Sequence, residues 1–100
     1  MITIDDFAKV DLRTALVLSA TDHPNADRLL VLKIRLGEEE RQLVAGVKQW
    51  YPGEALVGKT IVVVANLQPA MLRGVESQEM LLAVRDEAGV RVQTPDGPVA

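Results

Sequence analysis

Residues 29–36 alternate with the period of a pleated strand: Leu30, Leu32, Ile34 and Leu36 fall on one side, Lys33 and Arg35 on the other. A segment with one apolar and one polar face belongs in an antiparallel sheet that covers a core on one side and meets water on the other. Gly37-Glu38-Glu39-Glu40 follows as a hairpin turn, with the three acids pointing away, and residues 41–45 return as the partner strand. On this register Lys33, Arg35 and Arg41 share the solvent face. Short apolar runs punctuated by Gly or Pro continue along the chain. Residues 14–21 form a first strand. His23-Pro24-Asn25-Ala26-Asp27 ends it as a turn, because proline excludes its predecessor from helix and Asn and Asp favour turns.

Gly46 breaks the pattern, and residues 47–51 make one helical turn at most, stopped by Pro52-Gly53. Residues 54–57 offer a second short turn. Strands are expected at 60–65, 80–85 and 90–94, with Asp86-Glu87-Ala88-Gly89 as a hairpin turn and an irregular tail from Pro95. At the N-terminus Asp5 or Asp6 caps a short turn and Phe7 is a core anchor. Three strands, a helical link and two further strands is the order of an all-β OB-fold, a five-stranded Greek-key barrel. An SH3-like barrel competes. The helical link between the third and fourth strands favours the OB-fold.

The chain has the length of one domain, 1–100, and its core material is aliphatic: fourteen Val, thirteen Leu and four Ile. Three aromatics, Phe7, Trp50 and Tyr51, leave few rings for stacking on bases, and Trp50 and Tyr51 adjoin Pro52-Gly53 where they cover a barrel end. The absence of cysteine excludes disulfides and thiolate metal sites and fits a reducing compartment. The first residues lack a basic stretch followed by an apolar run, and no apolar run is long enough for a bilayer, so a soluble cytoplasmic protein without a membrane partner is expected. Net charge is −3, but it is unevenly spread: residues 1–27 carry −3, residues 28–73 carry +3 and residues 74–100 carry −3. The basic middle covers the segments a nucleic-acid-binding barrel uses.

Polar and special-backbone residues concentrate between two apolar runs, in the loop from Asn66 to Met80. Loops on a rigid scaffold carry function. Asn66 and Ser77 stand at its ends, where each is equally suited to bind a phosphate, a 2′-hydroxyl or a base edge and to tie down loop backbone. Arg73 is the loop's one basic residue, and Gly74 supplies a backbone angle closed to other residues. Met80 precedes an apolar strand, which suits core packing. Catalysis has little to build on. His23 is the single histidine, and a nucleophilic set would need Ser19 or Ser77 to converge on it. Asp22, His23 and Asp27 are turn residues of the kind that cap backbone rather than bind metal, and no glycine-rich phosphate loop is present.

Several motifs recur in one order: Asp6-Phe7…Val10-Asp11-Leu12-Arg13, His23-Pro24-Asn25-Ala26-Asp27-Arg28-Leu29, Arg41-Gln42-Leu43-Val44-Ala45-Gly46, Leu56-Val57-Gly58-Lys59, Asn66-Leu67-Gln68-Pro69 and Gly74-Val75-Glu76-Ser77-Gln78-Glu79-Met80. In these the chain resembles the tRNA-binding domain appended to the C-terminus of many bacterial methionyl-tRNA synthetases. Stand-alone bacterial tRNA-binding proteins and the endothelial-monocyte-activating polypeptide share that domain. The resemblance implies an OB-fold that binds tRNA without reading the anticodon. It also implies a homodimer, no catalysis or cofactor in the domain itself, and a covalently attached synthetase body. It assigns tRNA contact to Lys33, Arg35, Arg41, Asn66, Arg73, Ser77 and Met80, with Met80 an exposed apolar contact. The chain departs from the family at Ala70-Met71, where basic residues are usual, at Glu79, where a small residue is usual, and in ending several residues early. The first two changes lower the charge of the loop, which implies weaker tRNA affinity and a larger share for Arg73. The alternative expectation is a dimerisation or protein-docking module, with the related export chaperones as its variant.

Overall fold

Strand β1, Leu12–Asp22, is the hub of the computed structural model, which describes residues 1–99. It pairs antiparallel with β2, Leu30–Leu36, along one edge and with β4, Thr60–Val64, along the other. β2 in turn pairs with β3, Glu39–Ala45, and β4 with β7, Met80–Leu81, giving a five-stranded sheet in the order β3-β2-β1-β4-β7. The register of β1 against β2 shifts between Val17 and Ser19, and a bulge of this kind bends the strand and increases its twist. The bent sheet curls until β3 meets the end of the loop before β7, at a parallel bridge between Leu43 and Glu79. The curled five-stranded sheet is the all-β, OB-like barrel expected, its two ends meeting at that single bridge.

The alternation in residues 29–36 does what its pattern implies. Leu30, Leu32, Ile34 and Leu36 are buried in the core with Ala15, Val17, Leu43, Ile61, Val63 and Leu81, while Lys33 and Arg35 are exposed. The link between β3 and β4 is a turn closed by the Trp50 and Tyr51 N–H groups on the Val47 carbonyl, followed by a single 3-10 turn at Gly53–Ala55. Trp50 and Tyr51 pack against the core, and the Tyr51 hydroxyl accepts a hydrogen bond from the Val92 N–H at 3.0 Å. Gly89, with φ +125°, gives the Trp50 ring its room, since a Cβ there would overlap the indole.

Four local expectations are corrected. The N-terminal turn α1, Ile4–Phe7, is capped by Thr3, with Asp6 answering from the third position of a capping box. Phe7 is 48% exposed and anchors no core, because α1 buries none of its residues. The span 66–80 is not an open loop: it folds into a hairpin of β5, Ala70–Leu72, and β6, Val75–Ser77. The tip residues Arg73 and Gly74 lie at φ +54° and +90°, the left-handed pair that a tight two-residue hairpin demands. The strand expected at 80–85 divides at Leu82: β7 pairs with β4, and β8, Ala83–Asp86, pairs with β9, Gly89–Val92, around the expected turn.

Truncating Leu32 to alanine removes a fully buried side chain and should cost about 2–5 kcal/mol in urea unfolding. Phe7→Ala should cost less than about 1 kcal/mol, since about half of the residue's surface already meets water.

Candidate nucleic-acid interface

Two loops meet at one end of the barrel, the turn between β1 and β2 and the β5–β6 hairpin between β4 and β7. In OB-folds these loops and the face of the second and third strands engage oligonucleotides. The hairpin is fastened along β3. The Ser77 hydroxyl accepts the Val44 N–H at 3.0 Å and donates to the Glu79 carbonyl at 2.8 Å. The Gln42 N–H donates to the Gln78 side chain at 2.9 Å, and the Gln42 side chain donates to the Glu76 carbonyl at 2.7 Å. At the loop's start, Asn66 donates to the Lys9 carbonyl at 2.7 Å and accepts the Asp11 N–H at 2.9 Å. Of the two roles open to Asn66 and Ser77 in the sequence, the structure displays the backbone-tying one for both.

The basic residues divide sharply. Arg41 does not share the solvent face with Lys33 and Arg35. The turn between β2 and β3 is two residues, so Leu36 faces Glu39 and Ile34 faces Arg41, which puts Arg41 on the inner side. Its guanidinium is shared among Glu39, Glu79 and the Ala65 carbonyl. Glu39 therefore does not point away from the barrel. Lys33 lies on the outer face beside Gln42, to which it donates a hydrogen bond, and Arg35 lies opposite Glu40. Lys33, Arg35 and Arg73 have no ion-pair partner among the described residues, and neither has Arg28, which the sequence reading missed. Arg28 and Arg73 line one open cleft of about 350 Å³ between the two loops, with Ala26, Asp27 and Leu29. The signal for Arg28 was its place at the end of the His23–Asp27 turn. Beside the hairpin, Val44, Leu67, Ala70, Leu72 and Met80 line a smaller apolar cavity of about 170 Å³. Met80 is 49% exposed at its rim and so is not core, while its neighbour Leu81 is buried. Cations without ion-pair partners are free to neutralise the phosphates of a polyanion.

Glu79 is the unusual group. It is 3% exposed; one carboxylate oxygen meets Arg41, and the other is buried with no hydrogen-bond partner among the described residues. Burial pushes its carboxyl above the ordinary carboxylate range, against the downward pull of Arg41. The hydrogen bond from Arg41, and then its charge, hold Glu39 below that range, and the two acids together push the Arg41 guanidinium up. A carboxyl whose folded-state affinity for protons exceeds its unfolded one binds more protons when folded. Its contribution is fully present below the unfolded value and is lost as pH rises through the folded one. On lowering the pH from 7 toward the ordinary carboxyl range, the wild-type chain should gain stability relative to Glu79→Gln. Urea unfolding of both at pH 7 and pH 5 checks this; a constant or reversed difference would contradict it.

Residues 12–100 match the family model described as "Putative tRNA binding domain". The chain is 58% identical over 98 residues to the methionine–tRNA ligase of Thermotoga maritima, covering 98% of this chain and 16% of that one. It is 53% identical over 98 residues to the methionine–tRNA ligase of Thermococcus kodakarensis, covering 98% and 13%. It thus spans about a seventh of the length of these curated relatives. Among solved structures, a MetRS related protein from Pyrococcus horikoshii superposes with a TM-score of 0.90 at 34% identity, over 99% of this chain and 92% of that one. The CsaA chaperone protein from Picrophilus torridus gives 0.91 at 29% identity, over 99% and 94%. With the match covering nearly the whole chain and the barrel agreeing, the chain belongs to the tRNA-binding domain family.

Proposed function

We propose that this domain grips tRNA by phosphate backbone and shape as an appendage of a methionine–tRNA ligase. There it raises the concentration of tRNA beside a separate catalytic body. The observation that carries the reading is 58% identity across 98 residues to a ligase of that specificity. Lys33 and Arg35 on the outer face, and Arg28 and Arg73 in the loop cleft, are the phosphate-binding cations. Met80 supplies an apolar contact beside them. Asn66, Ser77 and Arg41 serve the interface by holding the hairpin in place. The domain itself does no chemistry and works in the cytoplasm. The exposed apolar residues Ile2, Ile4, Phe7 and Val10 on the N-terminal segment support pairing with a second copy.

Binding to unfractionated tRNA should fall steeply with salt. Four phosphate contacts correspond to roughly a hundredfold loss between 50 and 200 mM. Arg35→Glu and Arg73→Glu should each weaken binding to every tRNA alike and flatten the salt dependence. Binding that is absent, or indifferent to salt, would overturn the reading. If the domain then dimerised tightly, a protein-docking role like that suggested by the similarity to CsaA chaperone proteins would take its place.

A further inference from the structure

One buried side chain joins the two loops of the interface. His23, 5% exposed, is the first residue after β1. Its Nδ1 lies 2.9 Å from the Asn25 N–H and accepts from it. A ring nitrogen that accepts carries no proton, so in the neutral imidazole the proton sits on Nε2. Nε2 lies 2.9 Å from the carbonyl oxygen of Leu72, and donates to it across 49 residues of sequence. Leu72 is the last residue of β5, immediately before the tip. From the tip, Arg73 returns a hydrogen bond to the Asn25 carbonyl at 3.2 Å.

We propose that His23 is a positioning residue for tRNA binding: its imidazole latches the hairpin tip to the β1–β2 turn and holds Arg73 across the cleft from Arg28. The proposal rests on the tRNA reading above. The hairpin's strands are three residues each, too short to be stable unaided. Its side-chain fastenings to β3, through Gln42, Ser77 and Gln78, all fall on β6 or beyond it, and none reaches β5 or the tip. Leu72, Arg73 and Gly74 are exposed, so little apolar burial restrains the tip. What holds it is the bond from His23 and the exposed bond from Arg73 itself. Without the first, the guanidinium of Arg73 would have to be ordered by the ligand, and ordering on binding weakens affinity.

The geometry also says which substitutions separate this role from simple support of the turn. Asparagine reproduces the Nδ1 position: its carbonyl accepts the N–H two residues on, as in an Asx-turn, but its amide falls short of Leu72. Glutamine places an amide N–H₂ near the Nε2 position and keeps a donor for the Leu72 carbonyl. His23→Asn should therefore keep the barrel and its thermal unfolding close to wild type. It should lose amide protection in residues 70–77 and bind tRNA about fivefold more weakly, the scale of one hydrogen bond. His23→Gln should retain the hairpin protection and most of the affinity. A role confined to the turn predicts the opposite order, with asparagine benign and glutamine harmful, and that order would overturn the proposal. So would His23→Asn binding like wild type. Imidazole ¹⁵N shifts of the wild-type domain need no variant: a neutral ring protonated on Nε2 is expected, and protonation on Nδ1 would overturn the latch. Should the wild-type domain fail to bind tRNA, the functional reading falls, while hydrogen exchange in residues 70–77 still decides whether His23 holds the tip.

Discussion

The barrel closes along a seam that is mostly polar, and the candidate interface hangs from it. β7 contributes only two residues to the sheet, so its pairing with β4 cannot secure the closing edge alone. The approach to β7 is secured instead by Gln78 against Gln42, Ser77 against Val44, and Glu79 against Arg41. All three lie in the segment that also ends the hairpin loop. The loop that presents Arg73 and Met80 is thus part of the wall of the barrel, and its position is set by the same bonds that shut the fold. This is why Ser77, an obvious polar candidate for RNA contact, is buried: its hydroxyl satisfies a β3 amide that the closing edge would otherwise leave unpaired.

Arg41 and Glu79 sharpen the point. A buried ion pair contributes little net stability unless its remaining polar atoms are satisfied, and here one Glu79 oxygen is not. Removing Arg41 leaves the Glu79 carboxylate buried and uncompensated, whereas Arg41 without Glu79 keeps Glu39 and the Ala65 carbonyl. The negative charge that Glu79 adds to the loop sequence is thereby spent inside, on Arg41, and does not oppose a ligand at the surface. Arg41, set inward by its pairing with Ile34, is engaged there, and the cations of the proposed interface are Lys33, Arg35, Arg28 and Arg73.

The legible parts of this chain were those with local periodicity. The alternation in residues 29–36 is enough to assign a strand and its faces, because a pleated strand exposes every second side chain. Arg41 was misplaced because its charge suggested the solvent face, whereas cross-strand pairing fixes the face whatever the side chain. The loop at Gly37-Glu38 sets Arg41 opposite Ile34, and a four-residue loop over 37–40 would set it opposite Leu36, so either pairing leaves it on the apolar face of β2. The hairpin within 66–80 was hidden because its tip is Arg-Gly, where Asn-Gly or Asp-Gly would have announced it. Phe7 misled because an aromatic near a capped turn suggests an anchor, yet the N-terminal segment is held by Asn66 through its backbone instead. His23 and Arg28 were invisible as site residues because what they face lies some fifty residues away, and no local pattern carries that information.

The disposition of the aromatics limits what kind of recognition such a surface can perform. Trp50 is committed to the barrel end, with Gly89 beneath it and the Arg85 guanidinium 5.9 Å from its ring centre. Tyr51 spends its hydroxyl on the Val92 amide. Phe7 is exposed but lies on the N-terminal turn, outside the two loops. Among the described residues no ring lines the cleft of Arg28 and Arg73, Trp50 lying instead in a neighbouring hollow with Arg28 and Arg85, and stacking is what lets single-strand binders track a chain of bases. What the cleft has instead is guanidinium groups, with apolar thioether and leucine side chains nearby and backbone fixed on two sides. Fixed cations reward a ligand whose phosphates already stand at the matching separations, and a folded RNA meets that condition where a flexible strand must first be ordered. On the reading proposed for this domain, rigidity at the hairpin does the discriminating that base contacts do elsewhere, selecting for the shape of the tRNA rather than its sequence.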